Sequence, residues 1–186
     1  MRLFALACGV ALLAALWRGP ALHAYPSGPP PATTGGFGEG TCVKCHDSNE
    51  LNVGQRRNLG ELKLAGFPPA YEPGKSYGVT VELTQAQDSG VWGFQLAARA
   101  AQGGAQAGEL RPMDAHTRVA VEKGVQYVQH TADGTFFATF EFNWVAPVAA
   151  VGPVAIHVAG NAANGDVSPK GDYIYTASLT IPPAAK

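Results

Sequence analysis

Five consecutive residues, Cys42-Val43-Lys44-Cys45-His46, bring together the side chains best suited to chemistry in this chain. Two thiols spaced C-x-x-C can each add across a vinyl group of one porphyrin, and the adjacent imidazole then reaches the iron from the proximal side. The pattern predicts covalently bound haem c, with Cys42 and Cys45 holding the porphyrin and His46 binding iron. A C-x-x-C alone also serves as a redox disulfide or as half of a zinc site. The redox reading wants a βαβ setting, which residues 35–60 do not supply. A structural zinc site wants two further Cys or His ligands at short spacing, and the next histidine downstream is His116. The chain has three cysteines, of which Cys8 lies in a segment expected to be removed. The mature chain then keeps only the two thiols of the motif, the cysteine usage of a haem protein and not of a disulfide scaffold.

An electron-transferring haem of this type takes a sixth ligand, commonly His or Met. The mature candidates are Met113, His116, His130 and His157; His23 leaves with the N-terminal segment. His130 is the first candidate distal ligand. It ends the strand-like stretch Val125–His130 just before a turn at Thr131–Gly134, a rigid position from which an imidazole can point outward. The competing reading is a hydrogen-bonded histidine at a turn. Met113, in Arg111-Pro112-Met113-Asp114-Ala115-His116, is the runner-up, and its thioether would raise the reduction potential relative to a second imidazole. Filling the core is the other use of a methionine. His157 lies between Ile156 and Val158 and points away from their apolar face, so exposure is expected there. The Asn/Asp/Gly-rich stretch Gly160–Asp166, continuing to Gly171-Asp172, has oxygen donors but no EF-hand spacing, and reads as turn chemistry.

The N-terminus concerns compartment. Met1-Arg2 precedes an uncharged apolar run from Leu3 to Trp17, broken by Arg18-Gly19-Pro20 and followed by small residues at Ala21 and Ala24. This predicts a secretory signal peptide over 1–24, cleaved after Ala24. The run is shorter than the roughly 20 residues that span a bilayer, so no membrane span is expected after cleavage. Haem is attached covalently to exported apoprotein, so signal and motif agree on a periplasmic, extracellular or cell-surface location. Removing Arg2 and Arg18 leaves 11 basic against 14 acidic residues, a net charge of about −3. No basic run or basic-aromatic stripe is present, which argues against a nucleic-acid partner.

The elements that must position the motif follow from periodicity. Residues 25–58 divide into a Pro/Gly/Thr-rich arm to residue 41, unable to bury an apolar face and expected to be extended, and the attachment segment itself. From residue 59 to 186 the chain alternates apolar and polar residues between Gly and Pro turns. Tyr77, Val79, Val81 and Leu83 share one face; Trp92, Phe94, Leu96 and Ala98 another. Phe136, Ala138, Phe140, Phe142 and Trp144 form the strongest apolar face, followed by Val154, Ile156 and Val158, and by Tyr173 to Ile181. Weaker strands are expected near Leu62–Ala65, Glu109–Met113 and Val125–His130. About eight strands without a long amphipathic helix predict a mainly β protein, an antiparallel β-sandwich with an N-terminal haem-attachment segment. With one C-x-x-C-H, one haem per chain is expected.

The stretches SGPPPATTGGFGEGTCVKCH, GFPPAYEPGKSYGVTVEL, VWGFQLAAR, YVQHTADGT, FEFNWVAP and HVAGNAANGDVSPKGDYIYTASL cover most of residues 27–182. In this order they resemble a family of bacterial secreted proteins that join a haem-attachment segment to a reeler-like β-sandwich. The resemblance implies a reeler/Ig-like sandwich in an exported haem protein, while leaving its partner open. The expected function is that of a monohaem c-type cytochrome-like protein performing one-electron transfer with an unidentified redox protein or envelope partner. The alternative is an extracellular recognition, adhesion or sensory sandwich whose haem is structural or gas-binding. No Ser-His-Asp signature, phosphate loop or paired-carboxylate motif is present, and an enzyme is not expected.

Overall fold

A computed structural model of the chain describes residues 25–86 and 89–185; the signal-peptide segment expected over 1–24 lies outside the described residues. Among the described residues nine strands are formed: β1 (Gly60–Ala65), β2 (Ser76–Gln85), β3 (Val91–Ala100), β4 (Glu109–Pro112), β5 (Thr117–Glu122), β6 (Val125–His130), β7 (Thr139–Val145), β8 (Val154–Ala163) and β9 (Tyr173–Ile181). They pair into a four-stranded sheet of order β1-β2-β7-β4 and a five-stranded sheet of order β5-β6-β3-β8-β9. All pairings between these strands are antiparallel. The protein is an antiparallel β-sandwich, as the alternating pattern requires: successive side chains point to opposite faces, and the apolar set of each sheet must be covered by the other.

The inner faces carry Val79, Val81 and Leu83 of β2 and Phe140, Phe142 and Trp144 of β7 against Phe94, Leu96 and Ala98 of β3 and Val154, Ile156 and Val158 of β8. Phe94 stacks on Phe140 with ring centroids 4.4 Å apart. Trp144 is enclosed by the rings of Phe67, Tyr71 and Tyr77, and its indole N–H donates to the Ala107 carbonyl at 3.0 Å. A buried tryptophan of this kind satisfies its one donor and otherwise contributes apolar area.

Two local expectations change. The strand expected from Phe136 starts at Thr139, because residues Asp133–Phe136 form a 3₁₀ turn, and Phe136 stands 74% exposed instead of sharing the core face. Alternation across 136–138 mimicked the period of the strand that follows it. β5 had no expectation of its own; it is an edge strand whose burial shows no clean alternation.

Residues 25–41, expected to be extended, instead run through turns at Pro26–Ser27 and Phe37–Gly38, and they are not free of the sandwich. The Gly35 amide donates back to the Gly40 carbonyl at 2.9 Å, and glycines at 28, 35 and 38 take the positive φ these turns need. They lie across the outer face of the five-stranded sheet, where Gln95 of β3 is fully buried. The Gln95 side-chain oxygen accepts from the Thr33 amide at 2.8 Å, and its amide nitrogen donates to the Pro30 carbonyl at 3.0 Å. Further along, Glu39 accepts from Arg99 at 2.8 Å and from the Tyr127 hydroxyl at 2.6 Å. The arm is held by polar side chains of β3 and β6 that need partners once covered, with Ala32 packed against Ala97, Val125 and Tyr127. Among the described residues no helix is long and apolar enough to cross a membrane.

Candidate functional site

The motif opens a 3₁₀ turn at Cys42–Lys44. Thr41 caps it, its hydroxyl accepting from the Val43 amide at 3.3 Å, and the Cys42 carbonyl accepts from both Cys45 (3.1 Å) and His46 (3.0 Å). This tight turn holds the two free thiols and the imidazole close together. Burial pushes the Cys42 thiol up to about 12. A redox C-x-x-C depends on the opposite shift, a depressed thiol, so this environment does not suit disulfide exchange.

His46 is oriented from a distance of 126 residues. Its Nδ1 lies 2.5 Å from Oδ2 of Asp172, a fully buried carboxylate in the loop between β8 and β9. Asp172 is itself fixed: its Oδ1 accepts from the Asn164 amide at 3.1 Å, and its backbone carbonyl accepts from the Asn49 side chain at 2.9 Å. Around this contact the segment after the motif is tied to the sandwich. Lys170 pairs with Asp47, the Gly171 amide donates to Ser48 Oγ at 2.7 Å, and Asn52 exchanges hydrogen bonds with Thr176 at 2.8 and 2.9 Å. With Nδ1 donating to a carboxylate, Nε2 of His46 carries the lone pair, which is the ligating tautomer. Asn161 of β8 stands beside the ring, its Nδ2 3.3 Å from Nδ1 and 3.5 Å from Nε2, while its Oδ1 is buried without a partner among the described residues.

Cys42, Cys45 and His46 line one cavity of about 730 Å3, within the roughly 300–1,000 Å3 of small-molecule and cofactor sites. The Pro29–Pro31 segment of the arm forms one wall; Trp92, Gly93 and Phe94 at the start of β3 form another; Phe136 and Val167 stand at its margin. Phe136 and Val167 are 74% and 89% exposed, apolar side chains projecting into solvent beside the opening. The donor set and the walls fit a haem: two thiols, an imidazole steered by a carboxylate, and an apolar surround. Among the described residues no group of three or more His, Cys, Asp or Glu side chains is arranged to hold a bare metal ion. An iron already held by a porphyrin needs only axial donors from the chain.

The other candidates separate clearly. His130 lines the same cavity and is buried, with Nδ1 accepting from the Phe94 amide at 3.0 Å and Nε2 3.3 Å from the Tyr25 carbonyl. Burial holds it below the usual imidazole range, aided by the Arg118 charge and opposed by the backbone hydrogen bonds. In the β3–β6 register Gln95 opposes Gln129, so the imidazole satisfies Phe94 one step beyond the last backbone pair. Gly93 makes room for it: a Cβ there would lie 2.7 Å from Cε1 of His130. Met113 is 57% exposed at the end of β4, and His116 stacks on Phe137 with centroids 4.1 Å apart; neither lines the cavity. His157 is not simply exposed, because the arm covers it; Phe37 meets it edge-on at 5.4 Å.

Asp172, Asn161 and Gly93 were not singled out as site residues in the sequence. Asp172 stood in view within the Asn/Asp/Gly-rich loop, where turn chemistry accounted for its residue type; its partner becomes visible only when the loop folds back onto the motif.

No protein-family model and no curated protein matches the chain. Among solved structures it is similar to the human F-spondin reeler domain, fragment 1, at 21% identity and TM-score 0.49, covering 68% of this chain and 88% of that one. Fragment 2 of the same human domain is similar at 23% identity and TM-score 0.47, covering 68% and 93%. The sixth cohesin from Acetivibrio cellulolyticus scaffoldin B is similar at 12% identity and TM-score 0.38, covering 62% and 96%.

Proposed function

We propose that the chain is an exported, monohaem c-type cytochrome-like protein that binds haem c covalently and passes single electrons in the cell envelope, at the periplasmic or outer face. Its partner is a redox protein of that compartment. One observation carries this reading: the C-x-x-C-H turn lines an apolar cavity of cofactor size, with the imidazole of His46 held by a buried carboxylate. Cys42 and Cys45 supply the sulfurs for two thioether links, and His46 supplies Nε2 to iron. Asp172 keeps the proton on Nδ1 and fixes the ring plane. The Pro29–Pro31 segment of the arm walls one side of the cavity. The haem, when bound, supplies a reversible one-electron couple between ferric and ferrous iron.

Protein exported from a host competent in haem attachment is expected to gain the mass of one haem and to show a reversible couple on redox titration. Bare polypeptide, or a haem without a reversible couple, refutes the reading. Tight carbon monoxide binding to the reduced wild-type protein would favour the sensory alternative instead.

A further inference from the structure

Beside His130 the cavity is also lined by Tyr25, the residue that the expected cleavage after Ala24 would make the mature N-terminus. Its backbone is pinned. The Tyr25 carbonyl accepts from the Gly28 amide at 3.0 Å, closing a tight turn through Pro26 and Ser27, and lies 3.3 Å from Nε2 of His130. Gly28 seats this turn against β6: its φ is +107°, and a Cβ there would fall 2.4 Å from the Gln129 side chain and 2.9 Å from the His130 carbonyl. No side chain other than hydrogen fits between the turn and the strand.

The hydrogen bonds of His130 assign its tautomer. Nδ1 accepts from the Phe94 amide at 3.0 Å, the Phe94 carbonyl being further away at 3.3 Å. Neutral imidazole then carries its proton on Nε2, which donates to Tyr25 and has no lone pair for a metal. Covalent geometry keeps the Tyr25 nitrogen within roughly 4 Å of its own carbonyl oxygen. After the expected cleavage that nitrogen is the primary amine of a cavity-lining residue, with an ordinary pKa of about 7.7–8.0.

We infer that the α-amino nitrogen of Tyr25, created by signal cleavage, is the sixth ligand of the haem iron, and that His130 is a positioning residue that holds the Tyr25 carbonyl. This rests on the haem reading above. The bond forms from the nitrogen lone pair to iron; the ammonium releases one proton to solvent, and no electron is transferred. An uncleaved chain has a peptide nitrogen at this position and cannot make the bond, so closed coordination would mark the processed, exported form.

The test uses the mature haem-loaded protein, its intact mass confirming a chain that begins at Tyr25 and carries one haem. Magnetic circular dichroism and electron paramagnetic resonance of the ferric form are expected to show a low-spin iron with amine and imidazole axial ligands. Inserting one Gly between Ala24 and Tyr25 displaces the amine. It is expected to convert the ferric spectrum to high spin and to raise the rate of cyanide binding at least tenfold, with haem content unchanged. His130→Gln keeps an acceptor and a donor at this place without a ring nitrogen, and is expected to retain the amine signature. A mature chain starting elsewhere, or a low-spin spectrum lost in His130→Gln but kept in the insertion variant, overturns the inference while leaving haem attachment intact. A wild-type chain without haem overturns both.

Discussion

Replacing Asp172 by Asn is the sharpest probe of how the sandwich sets up the haem-binding histidine. The substitution keeps the volume and one carboxyl-like oxygen, so the Asn164 amide, 3.1 Å from Oδ1, retains its acceptor. The second oxygen becomes an NH2 group facing Nδ1 of His46, where the native contact is 2.5 Å. Two donors cannot face each other, so the imidazole moves its proton to Nε2, the tautomer that cannot bind iron. The interaction lost is a charge-assisted hydrogen bond in a buried setting, about 1.5–3 kcal/mol. At 1.4 kcal/mol per tenfold this is roughly a 10- to 150-fold weaker His46–iron bond. The thioethers keep the haem on the chain, so the bond can be titrated without losing the cofactor. The assay is optical displacement of His46 by added imidazole, with the midpoint potential measured in parallel. Losing the negative charge at Nδ1 disfavours ferric iron, and each 1.4 kcal/mol of that preference raises the potential by roughly 60 mV. A variant with full haem content, unchanged imidazole competition and an unchanged potential would refute the role given to Asp172.

Three further outcomes are expected. Gly93→Ala places a Cβ 2.7 Å from Cε1 and 3.0 Å from Nδ1 of His130, and overpacking of this kind costs about 1–3 kcal/mol in urea unfolding; an unchanged midpoint would show that His130 does not need the space. Glu39→Ala leaves Arg99 and Tyr127 without their shared acceptor under the arm, and breaking a mostly buried pair costs on the order of 3–5 kcal/mol. The arm is then expected to become cleavable by limited proteolysis between residues 25 and 41, and continued protection would count against the clamp. Burial lowers both His130 and His157, so below the unfolded value of about 6.5 the unfolded chain binds more protons than the folded one. Stability is therefore expected to fall as pH drops from about 6.5 towards the lowered folded values, with a shallower fall in His130→Gln; denaturation midpoints equal at pH 7.5 and 5.5 would contradict the assignment.

The strands legible in the sequence are those with one face buried and one face wet. Val79, Val81 and Leu83 in β2, or Phe140, Phe142 and Trp144 in β7, show period two because the pleat alone sends alternate side chains to opposite sides. β3 is harder to read. Gln95 and Ala97 face the arm and are buried along with Phe94 and Leu96, so burial does not alternate along it, and only the packed arm explains this. Phe136 shows the reverse failure: its type and spacing suit a strand, yet Asp133-Gly134 carry the chain into a 3₁₀ turn that leaves its ring at the cavity margin. Composition suggested an extended arm, whereas the glycines at 28, 35 and 38 turn it, and its attachment was not legible because that depends on single hydrogen bonds at Gln95 and Glu39.

The site divides in the same way. Cys42, Cys45 and His46 are contiguous, and the chemistry of two thiols and an imidazole at that spacing is local, so the candidate cofactor followed from five residues. What surrounds His46 is not local. Asn161 reaches it across 115 positions from β8, and Asp172 across 126 from a loop that reads as ordinary turn chemistry until it closes on the motif. The fate of His130 likewise turned on register: its place at the end of β6 was visible in the sequence, but the Phe94 amide that claims Nδ1 and the Tyr25 carbonyl beside Nε2 come from two other segments. A linear pattern records which donors and acceptors a chain carries. Their pairing, and hence which nitrogen keeps a free lone pair, is decided when the folded backbone brings distant segments within hydrogen-bonding distance.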